Sequence, residues 1–337
     1  MGRGDWEWRE KHLQKNVFFG AFLCFIAAAS WGAMFPVAHS AFKHIDPFYF
    51  TIIRYGAVTL LLVLILFWKE GKDAFRFEGK GVRLWFFGTM AFAVYNLLIF
   101  WGEDLLGEQG IMVASIMESL MPMISIVIVW LLFQKRPPLF TSICVILSFI
   151  GAALVITKGD VRTFFHGTEQ IIPSFFILIA VIGWVVYTLG SREFKEWSPL
   201  RYSTLSCLLG TATALIIVIG ATRFGYVPVP TTDVLIQTGP HLLFMIVFPG
   251  LIALLGWNVG VSILSPINAL LFINFTPITT LLISTFQGYS VTAFDLVGTA
   301  LIIVALIANN IYVRLQMNTT SNRRIKALKF RERMSQS

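Results

Sequence analysis

The residue in this chain best suited to chemistry is Glu118, which stands in an apolar segment four residues before Pro122. Proline has no amide N–H, so within a helix the carbonyl of Glu118 loses its usual hydrogen-bond partner. Such a position is polar and often faces a cavity. A carboxyl group desolvated there is suited to exchanging protons or to binding an amine. A structural hydrogen bond to a neighbouring helix is the alternative, and a position nearer the helix end is the third.

Arg54 and Asn274 are the next polar candidates inside apolar segments. A charge seven residues into a segment, as at Arg54, costs about 2.5 kcal/mol or more unless it snorkels, pairs or faces water. The alternatives are an interfacial arginine, an anchor for a substrate carboxylate or phosphate, and a partner for an acid. Asn274 precedes Pro277 by three residues and nearly mirrors Glu118. Pro122 and Pro277 are predicted to kink their helices, either as a pair of hinges or as simple tolerated bends.

Aromatic and amide side chains complete the set of candidate site residues. Trp31 and Trp184 lie deeper in their segments than the tryptophans of an interfacial belt, which makes them candidates for lining a substrate cavity. Tyr187 follows Trp184 by about one helical turn and would share its face. Tyr95 and Asn96 adjoin each other in a third segment, and an asparagine in a helix bundle more often bonds a neighbouring helix than a ligand.

Long apolar segments position all of these residues. Of the 337 residues, 56% are hydrophobic and 13% are charged, whereas a soluble domain has about 25% charged residues. About 20 apolar residues suffice to cross a bilayer as a helix, so the sequence predicts an all-α polytopic membrane protein. The ten predicted transmembrane segments are residues 17–38, 48–68, 82–101, 109–133, 139–157, 171–190, 199–221, 239–257, 264–286 and 291–313.

The second half of the chain repeats the first at an offset of about 153 residues. The matched pairs are Phe133-Gln134 with Phe286-Gln287, Pro122 with Pro277, Cys144 with Gly298, Gly151 with Ala305, Trp31 with Trp184 and Pro47 with Pro199. Five helices per half is an odd number, so the second copy must insert upside down, which gives an inverted repeat around a central substrate pathway. The predicted units are a tail at 1–16, a first repeat at 17–157, a linker at 158–170, a second repeat at 171–313 and a tail at 314–337.

Basic residues set the expected orientation. With both termini in the cytoplasm, 20 Lys and Arg residues fall on the cytoplasmic side and 4 on the other. The basic tail after residue 313 is expected to meet anionic lipid, and no nucleic-acid partner is expected. Glu103, Asp104 and Glu108 are expected to form a solvated acidic loop between the third and fourth segments.

The pattern resembles the drug/metabolite transporter superfamily, specifically the EamA-type permeases, over about residues 17–313. The residues that carry the resemblance are Ser30-Trp31-Gly32, Pro47, Arg54, Pro122 and Gly151 in the first half and Gly183-Trp184, Pro199, Pro277 and Gly298 in the second. Two departures are Gln134-Lys135 and Gln287-Gly288, where the family often has Gly-Glu, and Glu118, which is not a general family feature. The resemblance implies two inverted five-helix repeats that transport small metabolites or drugs, often as exporters.

The functional expectation is therefore a secondary transporter of the cell membrane that exports a small-molecule substrate by alternating access, with proton coupling through Glu118. An uncoupled facilitator and an antiporter of phosphorylated metabolites are the alternatives, and a membrane-embedded enzyme is a distant one because its usual motifs are missing. No metal site or cofactor is expected, since the three cysteines lack metal-ligand spacing. Whether the protein forms a homodimer is left open.

Overall fold

Ten apolar helices, joined by short connections, make up the protein in a computed structural model that describes residues 3–134, 136–160 and 168–335. Within those ranges the chain contains no β-strand. Nine helices of the described part are long and apolar enough to cross a membrane, and a bent pair makes the tenth span. The helices are α1 (Arg3–Phe42), α2 (Pro47–Glu70), α3 (Gly81–Leu105), α4 (Glu108–Glu118 and Met121–Phe133), α5 (Leu139–Thr157), α6 (Thr168–Gly190), α7 (Pro199–Arg223), α8 (Thr232–Leu264), α9 (Pro266–Phe286) and α10 (Ala293–Ser335).

The predicted segments match these helices except at some ends. The eighth segment was predicted at 239–257 and its following loop at 258–263, which is wrong, because α8 runs from Thr232 to Leu264. Only Ser265, with φ of 75°, separates α8 from α9. The backbones of α1 and α10 continue as helix into the predicted tails, although the side chains of 1–16 and 316–337 lie outside the described part. Residues 161–167 of the predicted linker lie outside it as well.

Large apolar side chains cover the outside of the bundle, as expected where the surrounding solvent is lipid. Examples on α2 are Leu60, Leu64 and Trp68, and Phe286 of α9 is equally exposed. Pro47 begins α2 at a position where its missing amide is harmless, and the Asp46 side chain caps the helix by accepting from the amide of Phe48 at 2.8 Å.

Breaks in the regular helices occur at corresponding places in the two halves. A π-helical turn covers Met90–Tyr95 in α3, and another covers Ile246–Ile252 in α8. The two pieces of α4 meet at an angle of 50°, while α9 tightens into a 3₁₀ turn over Leu271–Asn274. Such irregular turns free backbone carbonyls, which inside a membrane is tolerated where the backbone is buried in protein or lines a cavity.

The two halves pack through the same helix pairs in both directions. α1 lies against α8 and α9 of the second half, and α6 lies against α3 and α4 of the first. α5 meets α10 through glycines, since a Cβ added at Gly151 would lie 2.7 Å from the carbonyl oxygen of Gly298. α3 meets α7 in the same manner, with Gly88 against the backbone of Ser206. Small residues allow helix backbones to approach closely in a membrane, where packing provides much of the attraction between helices.

Polar side chains connect the halves at the face where α1 begins and α10 ends, which we name the terminal face. Arg201 of α7 donates to Glu78 at 2.7 Å, and the indole of Trp197 donates to the same carboxylate at 2.8 Å. These two hydrogen bonds hold the pKa of Glu78 below its usual value. Arg83 pairs with Glu193 at 3.0 Å nearby. The α1–α2, α3–α4 and α7–α8 connections lie at the other end of the bundle, which we name the opposite face.

The Gly151–Gly298 contact predicts a steric effect of a single methyl group. Gly151→Ala should lower the stability of the detergent-solubilised protein by about 1–3 kcal/mol, the range for overpacking a filled interior. Gly220→Ala on α7 is the matched control, because a Cβ there would meet nothing within 4 Å. Thermal unfolding measured by intrinsic fluorescence would compare the two variants. Equal midpoints for both variants would contradict the close packing of α5 against α10.

Candidate functional site

Glu118 lies at the end of the first piece of α4, where the bend removes it from regular helix, and only 1% of it is exposed. The hydroxyl of Tyr95, at the end of the π-helical turn of α3, donates a hydrogen bond to its Oε1 atom. Oε2 has no hydrogen-bond partner within the described part of the chain. The Thr276 hydroxyl of α9 lies beside the same carboxyl group but donates to the Ala28 carbonyl at 3.3 Å. Glu118 is therefore a buried acid with one carboxyl oxygen that accepts no hydrogen bond among the described residues.

Three tryptophans from different helices surround the middle of the bundle. The ring of Trp31 meets that of Trp184 with centroids 5.0 Å apart, and that of Trp257 with centroids 5.2 Å apart. The Trp31 indole donates to the carbonyl of Pro249, which the π-helical turn of α8 leaves available, at 3.1 Å. Trp184 then meets Tyr95 with centroids 5.1 Å apart, so the aromatic cluster reaches the partner of Glu118.

Tyr187 extends this cluster toward the terminal face. Its ring meets Trp184 with centroids 5.3 Å apart and stacks on Tyr202 at 5.1 Å. Asn258 of α8 donates to the Tyr187 hydroxyl at 2.9 Å and to Ser203 of α7 at 2.8 Å. An asparagine thus joins α6, α7 and α8 at one point, which is a costly arrangement to break inside a membrane.

A pocket of about 530 Å³ opens beside Asn258. Residues from the α6–α7 connection, the start of α7, the end of α8 and the start of α9 line it, and among them are Arg192, Lys195, Tyr202 and Val261. This end of the bundle is the terminal face. The contacts Asn258–Tyr187–Trp184–Tyr95–Glu118 therefore lead from an open pocket to a buried acid.

Arg54 lies on α2 and is 1% exposed, so the interpretation as an interfacial arginine that reaches the membrane surface is wrong. Its Nη2 donates to the Tyr55 hydroxyl at 3.2 Å, and the guanidinium lies 4.6 Å from the Tyr55 ring centre. Nε and Nη1 have no hydrogen-bond partner in the part of the chain that the structure describes. Ring contacts through Tyr55 and Phe92 connect Arg54 to Tyr187. The Arg54 side chain therefore presents unused donors beside the aromatic cluster.

The two asparagine candidates bond to their own helices. Asn96 donates to the carbonyl of Ala91 at 2.6 Å, within the irregular part of α3. Asn274 donates to the carbonyl of Leu271 at 2.9 Å in the 3₁₀ turn of α9. Each carbonyl oxygen of these side chains is left without a partner among the described residues. Both side chains satisfy backbone carbonyls that the helix irregularities release.

The two proline candidates stand just after helix breaks. Pro122 is the second residue of the outgoing piece of α4, directly beyond the 50° bend. Pro277 follows the 3₁₀ turn of α9 by three residues, in the regular piece Phe275–Phe286. Proline at the start of a helix costs no hydrogen bond, so each residue fits its place without further distortion.

Aromatic side chains from three helices pack together near the opposite face. Phe42 of α1 meets Phe50 of α2 with centroids 5.5 Å apart and Phe100 of α3 with centroids 5.6 Å apart. Phe50 and Phe100 are fully buried. The bundle thus has an opening at one end and a packed aromatic plug at the other.

The prediction that residues 103–108 form a solvated acidic loop is wrong for Glu103. Glu103 belongs to the last turn of α3 and is 0% exposed, whereas Asp104 and Glu108 are exposed. The predicted segment ended at residue 101 because the acidic pair interrupts the apolar run, but the helix continues to Leu105. Trp257 and Asn258 were also outside the candidate set. Both stand at the predicted end of the eighth segment, and the continuation of α8 to Leu264 is what places them inside the bundle.

Two separate stretches of the chain, 18–157 and 171–311, match the model of the EamA-like transporter family. The chain belongs to that family. Each stretch covers one set of five helices, so this EamA-like transporter is a multi-pass membrane protein with two family repeats.

Two curated relatives from Bacillus subtilis (strain 168) are similar to it over most of their length. The uncharacterized transporter YrdR is 53% identical over 299 residues, which are 89% of this chain and 93% of the relative. The uncharacterized transporter YyaM is 22% identical over 92% of this chain and 98% of the relative. A solved crystal structure matches with a TM-score of 0.62 at 16% identity, covering 88% of this chain and 98% of that one, which supports the fold.

The pocket on the terminal face predicts one-sided access to Ser262, which lines it. Ser262→Cys should react with a membrane-impermeant maleimide added to the side that carries the termini, and Tyr226→Cys on the opposite face only from the other side. Tyr226 is exposed in the α7–α8 connection, and the three native cysteines are buried. Mass-tag gel shifts in sealed vesicles of both orientations measure this. Labelling of both variants from the same side would contradict the arrangement.

Proposed function

We propose that this protein exports small organic metabolites across the cell membrane by alternating access, with proton exchange at Glu118. The main support is the unbroken line of contacts from the open pocket at Asn258 to the buried Glu118. The aromatic plug on the opposite face adds to it, because a carrier must close one end while the other is open. The distribution of basic residues favours the terminal face as the cytoplasmic one, which would make it the side of substrate entry.

Desolvation supplies the coupling mechanism. A carboxylate without water and with one unbonded oxygen is much costlier than the neutral acid, so the closed site favours protonated Glu118. When the cavity opens, water or a substrate amine can reach Oε2. Either one stabilises the carboxylate, and the proton then leaves. The Tyr95 hydroxyl would donate to whichever oxygen carries the negative charge. Binding of a proton and of substrate then compete for the same carboxyl group.

Arg54 would hold the negatively charged part of a substrate. Its guanidinium is buried without an acidic partner at hydrogen-bonding distance in the described part of the chain, and two of its nitrogens have unused N–H donors. A buried cation of this kind is stabilised by any anion that reaches it, because the pair removes an uncompensated charge. The rings of Tyr55 and Phe92 would contact the apolar body of the same solute.

The helix breaks would serve as hinges for the change between the conformation open to the terminal face and the one open to the opposite face. Pro122 and Pro277 start regular helix just beyond the bend of α4 and the 3₁₀ turn of α9, so rotation there breaks few hydrogen bonds. Glu118 stands immediately before the first of these breaks. A change of angle in α4 would therefore move the carboxyl group relative to Tyr95.

The remaining expectations concern surroundings and partners. The chain would do no covalent chemistry, since its family and its curated relatives are transporters. The basic residues after 313 would lie against anionic lipid of the cytoplasmic leaflet, and no nucleic acid would take part. Both a monomer and a homodimer are compatible with transport through each chain's own cavity.

Uptake into proteoliposomes, with and without a pH gradient, is the test of the proposal. The panel would hold amino acids, nucleosides, cationic drugs and phosphorylated sugars. Flux of one class that the gradient accelerates supports proton-coupled transport, and flux indifferent to the gradient supports a facilitator instead. Conversion of a solute into a new compound would contradict the carrier function.

Glu118→Gln should abolish gradient-driven accumulation while leaving expression intact, together with exchange of a substrate that carries no amine. Glutamine keeps the shape and the bond to Tyr95 but cannot release a proton. Glu169→Gln, at the exposed start of α6, is the control and should behave as wild type. Accumulation against a gradient in both variants would exclude Glu118 as the coupling group.

Arg54→Gln should weaken binding of an anionic solute by about 1.5–3 kcal/mol, the value of a hydrogen bond to a charged group. A neutral analogue of the same solute should lose much less. Competition binding with the pair of solutes measures the difference. Equal losses for the charged and neutral analogues would show that Arg54 supports the fold rather than the substrate.

A further inference from the structure

We propose that Glu103 is the proton-exchange group of the opposite face, a second carboxyl group that passes protons between that compartment and Glu118. The proposal rests on the proposed function, because it assigns the outer end of the same proton path. It concerns a residue that the transport site described above does not use.

Glu103 is buried without compensation. The side chain is 0% exposed, and neither Oε1 nor Oε2 has a hydrogen-bond partner in the described residues. Its own backbone is held tightly, since a Cβ at Gly110 would collide with the Glu103 carbonyl. A purely structural acid at a helix end would be expected to accept hydrogen bonds or reach water. A carboxyl group kept dry and unbonded is suited to a state in which water reaches it.

The inverted repeat shows where that water would come from. Gly102 packs against the Pro173 carbonyl and Ile177 of α6, and Gly260 packs against the Gly20 carbonyl and Cys24 of α1. Pro173 and Gly20 differ by 153 positions, as do Ile177 and Cys24, which is the repeat offset. Gly102 and Gly260 are therefore equivalent positions of the two halves.

The residue after each glycine is equivalent as well, so Glu103 corresponds to Val261. Val261 lines the pocket that is open on the terminal face. When the halves exchange conformations, the equivalent pocket opens on the opposite face, and Glu103 lines it. By the same offset, the pocket residue Lys195 corresponds to Phe42, whose contacts with Phe50 and Phe100 close that pocket in this structure.

Charge interactions connect Glu103 to both ends of the proposed path. The charges of Asp104 and, more weakly, Glu118 both act on Glu103. Toward the opposite face, burial together with the charges of Glu108 and Glu103 raises the pKa of Tyr289, which lies in the α9–α10 connection. Tyr289 also contacts the His39 ring with centroids 5.6 Å apart. Glu103 thus lies between the buried acid and a polar rim.

Other ionisable groups surround Glu103 on every element that packs against α3. Those in the same half of the bundle are Asp104 and Tyr95 on α3 itself, Glu108 and Glu118 on α4, Asp46, Tyr49 and Arg54 on α2, His39 and Lys43 at the end of α1, Glu169 on α6, Arg223 on α7 and Tyr289. Glu108 and Glu169 are exposed, so water screens their charges, whereas Glu118 is buried. The state of Glu103 therefore depends on its neighbour Asp104 first and on Glu118 next.

The transfer itself needs no further reactant. With the opposite pocket open, the O–H bond of the Glu118 acid breaks and one forms on the Glu103 carboxylate, through water in the pocket. The negative charge moves the other way. Glu103 then releases the proton to the opposite compartment, and the path runs in reverse when that compartment is acidic. Two interacting like charges in a dry interior disfavour simultaneous ionisation, so the pair retains one proton.

Glu103→Gln tests the assignment in proteoliposomes with a defined orientation. The variant should keep substrate exchange at equal pH, but its response to pH on the opposite face should fall by about 100-fold, the lower range for loss of a positioned proton donor. Its response to pH on the terminal face should remain. Glu169→Gln, at the exposed start of α6, is the control and should resemble wild type in both.

The outcomes separate this assignment from the proposed function. If wild type is proton-coupled and Glu118→Gln is not, an unchanged pH response of Glu103→Gln overturns the role of Glu103 alone. If wild type shows no proton coupling, both fail together. Dependence on sodium rather than on pH in wild type would also overturn the proton assignment.

A second measurement uses the unaltered protein, so it does not depend on the folding of a variant. A membrane-impermeant carbodiimide reacts with accessible protonated carboxyl groups, and peptide mass spectrometry locates the product. Reagent on the opposite face should modify Glu103 during turnover with substrate, and reagent on the terminal face should leave it unmodified. Absence of the Glu103 product during active turnover would overturn the proposal.

Discussion

Removal of charged groups from water is the constraint on which the rest of this structure depends. Arg54, Glu103 and Glu118 all lie in an interior that lipid surrounds, where an uncompensated charge is costly. None of them forms an ion pair with another at bonding distance in the described part of the chain. The aromatic rings around Arg54 and the hydroxyl of Tyr95 provide only partial compensation. Buried charges of this kind are stabilised when bound protons or ligands neutralise them. Binding and conformation therefore depend on each other.

The irregular helix turns follow from the same constraint. A membrane interior requires every backbone carbonyl to be bonded, so a π-helical turn is acceptable only where a side chain takes up what it frees. Trp31 donates to Pro249 in α8, and Asn96 donates to Ala91 in α3. Residues that looked like candidate ligands thus support the backbone that shapes the cavity. Glycines on the facing helices complete the arrangement by allowing close contact between the halves.

Composition and the repeat offset predicted the helix number, the inverted arrangement and the deep positions of Trp31 and Trp184. Those features depend on long apolar runs and on repeated residue types, which a single sequence displays. The depth of Arg54 and Glu103 was not predictable in this manner, because a charge ends an apolar run whether it is buried or solvated. Asn258 lay just beyond the predicted eighth segment, although α8 continues to Leu264. Burial of a polar residue depends on how several helices pack around it, and the sequence next to the residue does not indicate that packing.

The pocket mouth on the terminal face carries two exposed basic side chains, Arg192 and Lys195, among otherwise apolar and neutral lining. A positive potential at a concave opening concentrates anions from solution and speeds their encounter with the protein. At physiological salt this attraction extends about 8 Å, and it weakens as ionic strength rises. An anion near this opening is therefore attracted more strongly in dilute electrolyte than in concentrated electrolyte, before any contact with the dry interior beyond Asn258.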